Sequence, residues 1–281
     1  MRAEQGLGDQ IMFASCLHDV IALAQRVIIE CDPRLIGLFT RSFPAASVHR
    51  LRLKGEPEWA REPAPDFQIH CGGLPGILRQ HISDFPRHQG YLAPDPVRVA
   101  RWQARFAALP SGLNIGLSWR GGTPRTRQTT RSISLTSLVP LLSVSRANFV
   151  SLQYGPCGDE ISELRANHAV TLHDWLPATT DLEDVAALIA NLDIVITVCT
   201  TVAHLCGALA RTAWVMVPAV AEWRYLDDGS TLPWYPSVQL FRQQRRGAWG
   251  DVIASVGARL HTETERFFAS GRSTSSLGRP E

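Results

Sequence analysis

The chain has 281 residues, enough for two substantial cores, and its 45% hydrophobic and 19% charged residues describe an ordinary folded protein, which excludes disordered and fibrous classes. A net charge of +2 and a pI near 8.3 give no global field of the kind that draws nucleic acid, so no nucleic-acid partner is expected. The long apolar stretch 185–196 is interrupted by Asn191 and Asp193 and falls short of the roughly 20 residues a spanning helix needs, so no transmembrane segment is expected.

In chain order, Gly6-Leu7-Gly8-Asp9 opens a helix whose apolar spacing runs over 11–24. A β-branched run at 26–31 predicts a strand, and Asp32-Pro33 starts a further helix through Phe43. Residues 54–65 are rich in proline and charge; 67–70 reads as a short strand, and 71–76 as a Gly/Pro loop able to face a cleft. A helix over 94–109 starts at or soon after Asp95-Pro96, where proline suits the first turn, and Pro110-Ser111-Gly112 makes a linker. Strands at 114–119, 149–153, 170–172, 194–198 and 213–217 then alternate with helices at 135–142, 158–167, 182–191 and 201–210. A last helix at 249–260 precedes Ser/Thr/Gly/Arg-rich residues, from which a disordered tail at 270–281 is expected. The alternation starts twice and predicts two parallel-sheet α/β domains, at 1–110 and 113–262.

One local conflict stands out. A buried parallel strand before the first glycine loop should read as an apolar run, but Met1-Arg2-Ala3-Glu4-Gln5 is short and polar. The expectation is that the chain begins inside its first strand, as a fragment of a longer protein or from a misassigned start. The N-terminus also lacks the basic region and apolar core of a secretion signal, so cytoplasmic residence is expected. Cys16, Cys31, Cys71, Cys157, Cys199 and Cys206 form no C-x-x-C pair and no Cys/His cluster; they read as reduced, buried thiols, with no zinc site.

Three segments carry the chemistry: Gly6 to Asp9 opening one helix, Ser118-Trp119-Arg120-Gly121-Gly122 ending a strand, and Thr200-Thr201-Val202-Ala203-His204 opening another helix. Each sets small or polar residues where a strand meets a helix, and together they suggest one cleft. Unpaired N–H groups and the helix dipole make such ends attractive to an anion, phosphate above all, and Gly6 and Gly8 let backbone approach it closely. Gly-x-Gly alone is equally compatible with a tight strand-to-helix turn. A dinucleotide-dependent oxidoreductase fits poorly, because the third glycine is missing and Glu30 or Asp32 is a weak match for the ribose-binding acid.

The run 3–14, Ala-Glu-Gln-Gly-Leu-Gly-Asp-Gln-Ile-Met-Phe-Ala, resembles the start of the glycosyltransferase region in bacterial tetratricopeptide-repeat proteins related to the heptosyltransferases of glycosyltransferase family 9. Gly116-Leu117-Ser118-Trp119, Arg131-Ser132-Ile133, the segment 149–153, Val202-Ala203-His204-Leu205 and Pro233-Trp234-Tyr235-Pro236 follow in that family's order, so the resemblance covers about residues 3–260. It implies a GT-B fold, two Rossmann-like domains facing across a cleft, with an apolar strand and helical repeats preceding the first loop.

The resemblance also implies roles. Asp9 matches the aspartate that serves as general base; read from the residues alone, it is equally a carboxylate favoured in a helix's first turn. Thr200, Thr201 and His204 match the turn that contacts the donor's phosphates, against the plainer reading of an N-cap threonine and a partly buried histidine. Gly8, Ser118, Trp119, Arg120, Gly121 and Gln153 complete the expected donor site. Arg131 is chosen over Arg125 and Arg127, which share its hydroxyl-rich loop and also read as solvated charge. Trp223, Trp234 and Tyr235 read as packing residues ahead of base-stacking ones, with a place in the cleft left open. Cys199 departs from the pattern, since relatives carry aspartate directly before this threonine and a thiol cannot accept hydrogen bonds as a carboxylate does.

Two functions follow. One is an inverting, metal-independent glycosyltransferase of hexosyl or heptosyl type, needing no cofactor, that moves a sugar from a nucleotide-sugar donor to a glycan or protein acceptor. The other is a degenerate GT-B module binding a nucleotide or protein partner without turnover; Cys199 and the cut strand favour it.

Overall fold

The computed structural model of the chain describes residues 1–122, 127–175 and 177–270. Arg125 and the expected tail beyond Ser270 lie outside the described residues.

The first half contains α1 (Leu7–Phe13), α2 (Leu17–Leu23), β1 (Val27–Cys31), α3 (Ile36–Ser42), β2 (Ala46–Arg50), α4 (Leu74–Leu78) and α5 (Pro96–Ala107). The single helix expected over 11–24 is split, because the chain tightens into a buried 3₁₀ turn at Ala14–Cys16 between α1 and α2. β1 pairs in parallel with β2, from Val27 opposite Ala46 to Cys31 opposite Arg50. No strand forms over 67–70: Phe67 is exposed, and only His70 makes a bridge, to Arg2. Arg2 bridges Glu30 on its other side, while the Ala3 amide donates to Glu30 O (3.0 Å) and the Cys71 amide to Arg2 O (2.9 Å). Residues 1–3 therefore lie between β1 and the segment 69–71, which fixes the approach of the glycine loop to α1.

The second half contains β3 (Leu113–Ser118), α6 (Val139–Leu142), β4 (Ala147–Ser151), α7 (Gly158–Asn167), β5 (Leu172–His173), α8 (Pro177–Thr180), α9 (Leu182–Ile189), β6 (Ile194–Val198), α10 (Thr201–Ala208), β7 (Ala213–Val217), β8 (Thr231–Leu232), β9 (Tyr235–Arg242) and α11 (Gly250–Ala269). The described strands form one sheet in the order β5-β4-β3-β6-β7-β9-β8, parallel except for β8 on β9. Central β6 and β7 are buried at every residue, as a parallel strand covered on both faces must be. α11 runs nine residues beyond the expected end at 260, with Val256, Leu260, Thr264 and Phe267 all buried along it.

The halves share one apolar core. α9 buries Val185, Ala186, Ala187, Leu188 and Ile189, the pattern of a helix enclosed by protein, and packs on α5. Its acidic first turn is held from the first half: Arg41 donates to Glu183 (2.5 Å), Arg98 to Asp181 (2.5 Å), and Arg101 to Asp184. These carboxylates sit at the positive end of the helix, so dipole and ion pairs act in the same direction. Beside them Trp102 stacks on Trp175 with ring centroids 5.5 Å apart, and the Arg105 guanidinium lies 4.4 Å from the Trp175 ring. Trp102→Ala removes the anchor of this packing and is expected to cost about 3–5 kcal/mol, read as a lower urea midpoint.

Candidate functional site

β6 ends at Val198, Cys199 follows it, and Thr200 caps α10 by accepting from the Val202 amide (3.2 Å). α10 packs against α1, with Gly8 beside Thr201 and His204. A Cβ on Gly8 would stand 2.9 Å from His204 Cδ2 and 3.5 Å from Thr201 Oγ1, so any larger residue there requires the His204 ring or the backbone to shift. A Cβ on Gly121 would stand 2.9 Å from Cys199 O and 3.0 Å from Thr200 Cγ2. The structure thus brings Gly8, Asp9, Gly121, Thr200, Thr201 and His204 to one place, where the three motif-bearing segments meet.

A chain of charges runs across this meeting point. Arg224 Nε donates to Asp9 Oδ1 (2.5 Å) and Arg224 Nη1 to Glu222 Oε2 (3.2 Å), while Arg131 Nη1 donates to Glu222 Oε1 (2.6 Å). Arg131, expected from sequence, therefore reaches Asp9 through Glu222 and Arg224. Sequence reasoning passed over those two residues. Their signal was available: Glu222-Trp223-Arg224 follows β7, at the strand ends where open parallel sheets gather ligands. Trp223, expected as packing, is largely exposed and stacks on Phe13 (6.4 Å, 17°), whereas Trp234 is buried edge-on to Phe13 and Phe85.

Four expected donor residues are occupied elsewhere. Gln153 Oε1 accepts from the Trp119 (3.0 Å) and Arg120 (2.8 Å) amides, and its Nε2 donates to Arg120 O (3.3 Å) and Tyr154 O (3.0 Å). Gln153 is thus a buried clamp on the turn after β3, and buried Ser118 lies 3.5 Å from the same Oε1. Trp119 is fully buried and donates to Glu160 (2.6 Å), on α7; Arg120 pairs with Glu160 (3.0 Å) and donates to Pro156 O (2.6 Å). Their side chains shape the loop and are held on the α7 side of it.

His204 is 5% exposed and its Nδ1 lies 3.1 Å from the Tyr235 hydroxyl. Burial lowers its pKa to about 4; Asp9 opposes that shift, and Arg224 and Arg131 reinforce it. The imidazole is neutral at physiological pH. Burial likewise pushes the Cys199 thiol up to about 12, with Glu222 adding to the shift, so Cys199 is protonated and a poor nucleophile. Among the described residues no group of three or more His, Cys, Asp or Glu is placed to hold a metal ion, and no helix is long and apolar enough to cross a membrane.

Two α/β halves with their motif-bearing loops turned toward each other constitute a GT-B fold, as the sequence led one to expect. Comparison with solved structures agrees. The glycosyl transferase family 9 protein from Veillonella parvula DSM 2008 superposes with a TM-score of 0.61 at 10% identity, over 96% of this chain and 94% of that one. The E. coli ADP-heptose lps heptosyltransferase II superposes with a TM-score of 0.60 at 11% identity, over 93% and 98% respectively. In sequence, the chain is 32% identical to Protein FlbA of Caulobacter vibrioides over 272 residues, which is 92% of this chain and 45% of FlbA. The chain therefore spans less than half the length of this curated relative. No protein-family model matches it.

The depressed His204 pKa has a consequence for stability. The folded state binds fewer protons at this site than the unfolded chain between pH 6.5 and about 4, so stability falls as pH drops through that window. Full expression of the shift corresponds to roughly 3 kcal/mol. Urea unfolding from pH 7.5 to 4 is expected to show a shallower pH slope for His204→Gln than for the unsubstituted chain.

Proposed function

We propose that the chain is an inverting, metal-independent glycosyltransferase, moving a hexosyl or heptosyl group from a nucleotide-sugar donor to a hydroxyl of a glycan or protein acceptor. The reading rests on one observation: Asp9 at the start of α1, Thr201 and His204 at the start of α10, and the Arg224–Glu222–Arg131 chain all meet where the two halves face each other. The structural likeness to family 9 proteins, one of them named for ADP-heptose, supports a nucleotide-sugar donor.

In this reading the half at 1–110 holds the acceptor and the half at 113–262 the donor. Asp9 takes the proton from the acceptor hydroxyl as its oxygen attacks the anomeric carbon, and the bond from that carbon to the diphosphate breaks with inversion. The backbone N–H groups at the start of α10 and the guanidiniums of Arg131 and Arg224 stabilise the departing diphosphate, so the proposal invokes no cofactor. Before binding, both arginines are engaged by carboxylates, Arg224 by Asp9 and Glu222, and Arg131 by Glu222. An incoming diphosphate competes for them, and Arg224 turning to phosphate releases Asp9 as the base. The chain would act as the transferase part of a longer, repeat-containing cytoplasmic protein.

A binding module without turnover is the reading favoured by Cys199 and by the Asp9–Arg224 ion pair. Calorimetry against UDP, GDP, ADP and CMP, followed by turnover assays with the sugar form of whichever binds, separates the two. For the transferase, one nucleotide binds, Arg131→Ala weakens it by about 10- to 100-fold, and Asp9→Asn lowers kcat by about 10²- to 10⁴-fold. Glu222→Gln, which removes a competitor for both arginines, is expected to tighten diphosphate binding. Nucleotide binding that survives Asp9→Asn, with no turnover by either form on any offered acceptor, would support the module; failure of all four nucleotides to bind a folded chain would overturn the transferase.

A further inference from the structure

The loop after β7 is held in place from the end of β9. Arg242, the last residue of that strand, donates through Nε to Gly229 O (2.6 Å), through Nη1 to Leu226 O (3.1 Å) and through Nη2 to Asp228 O (2.8 Å) and Tyr225 O. Gln243, which follows it, accepts from the Ala219 amide through Oε1 (3.2 Å). The segment 219–229 is thus fixed at both ends, firmly enough that Leu226 keeps a left-handed backbone (φ 59°), which a bulky residue adopts only where its surroundings impose it. From this loop the Trp223 indole stands out 58% exposed, while Tyr225, two residues on, is buried.

Trp223 lies on the side of α1 that carries the proposed base. Asp9 and Phe13 are four residues apart on that helix and so share a face. Trp223 stacks on Phe13 (6.4 Å, 17°), and the Arg224 guanidinium that binds Asp9 lies 5.0 Å from the indole centroid. The other border of Phe13 is polar. An added Cβ on Gly72 would stand 3.5 Å from Phe13 Cε2, 2.8 Å from Glu4 Oε1 and 3.6 Å from Gln5 Nε2, so the glycine loop at 71–76 brings the ends of two exposed polar side chains close to the same ring.

An indole held open and still, with an amide and carboxylates around it, matches a sugar ring, whose C–H bonds meet the aromatic surface while its hydroxyls meet the polar groups. We propose that Trp223 is the platform for a pyranose ring of the acceptor, with Glu4 and Gln5 receiving that ring's hydroxyls, and hence that the acceptor is a glycan and not a protein side chain. The assignment deepens the transferase reading and rests on it for the role of Asp9. Of the two sugars in the reaction, the acceptor is the one whose hydroxyl must reach Asp9, on the helix face beside the indole. A nucleobase belongs elsewhere: Arg131 and α10, which would take the donor's diphosphate, are parts of the second half, whereas the indole lies against α1 in the first.

The test uses the full chain labelled with 5-fluorotryptophan, without nucleotide. Trp223→Phe identifies the Trp223 fluorine signal among the eight tryptophans. Titration with methyl glycosides of the hexoses and N-acetylhexosamines is expected to move that signal saturably with at least one of them. Saturation transfer to the same glycoside is expected to show binding weakened about 10-fold by Trp223→Ala and about 3- to 10-fold by Gln5→Ala; both positions are exposed, so the fold does not depend on them. A Trp223 signal that no glycoside moves overturns the proposal, and so does glycoside binding that Trp223→Ala leaves unchanged. A signal moved by UDP, GDP, ADP or CMP and by no glycoside overturns it too, by putting the base on the indole. A transferase that modifies a protein side chain would bind its nucleotide and turn over while failing here, and a chain that binds glycoside on Trp223 but no nucleotide would fail the transferase reading alone, so the two failures are distinct.

Discussion

The start of α1 and the start of α10 are pressed together, and the architecture of the site follows from that contact. Each helix start carries unpaired N–H groups and partial positive charge, so two of them in contact repel unless negative charge lies between or beside them. Asp9 supplies it within α1 itself, and Glu222 supplies it from the loop after β7. Glycine at position 8 is what permits the contact, because a Cβ there would strike the His204 ring. The small residue often assigned to a phosphate loop for its flexibility thus serves here first as a packing residue between two halves of the molecule.

Once Asp9 and Glu222 are present, their charge must be balanced in a half-buried place, and Arg224 and Arg131 do so. Two carboxylates and two guanidiniums cancel, and His204 adds nothing because burial keeps it neutral. What remains is the field of the two helix ends. A site of this kind is charge-balanced when empty and still attracts an anion through that field, and arginines that turn to the anion leave Asp9 and Glu222 with less compensation. A buried carboxylate without such partners would instead have its own pKa raised and its basicity altered.

Much of the molecule was legible because its strands are buried on both faces. β1, β3, β4, β6 and β7 each read as apolar runs close to their observed bounds, and the meeting of the three motif-bearing segments follows from strand ends gathering at one edge of a parallel sheet. β2 and β9 were missed for the complementary reason. Ala46–Arg50 is half-buried and half polar, and Tyr235–Arg242 carries Pro236 near its start, a residue that argues against a strand, although its alternation of buried Tyr235, Val238 and Leu240 was readable. The site was legible in its backbone and less so in its side chains. Gln153 and Trp119 stand at the right strand ends but point into the protein, a direction fixed by packing that no local pattern records. Arg224 and Glu222 matter only because the first half places Asp9 within their reach, more than 200 residues away in sequence.

Cys199 follows from the same charge balance. It is buried at the end of β6, where both Glu222 and Arg131 act on it electrostatically. An aspartate at 199 would be a further carboxylate in the field of Glu222, and two acids sharing a desolvated site cannot both stay ionised at ordinary pH without more positive charge. With Glu222 already engaging Arg131 and Arg224, a small, neutral thiol at 199 keeps the balance that an aspartate would upset. In the folded chain the carboxylate that engages Arg131 and Arg224 stands on the loop after β7, at Glu222, and position 199 beside it is neutral.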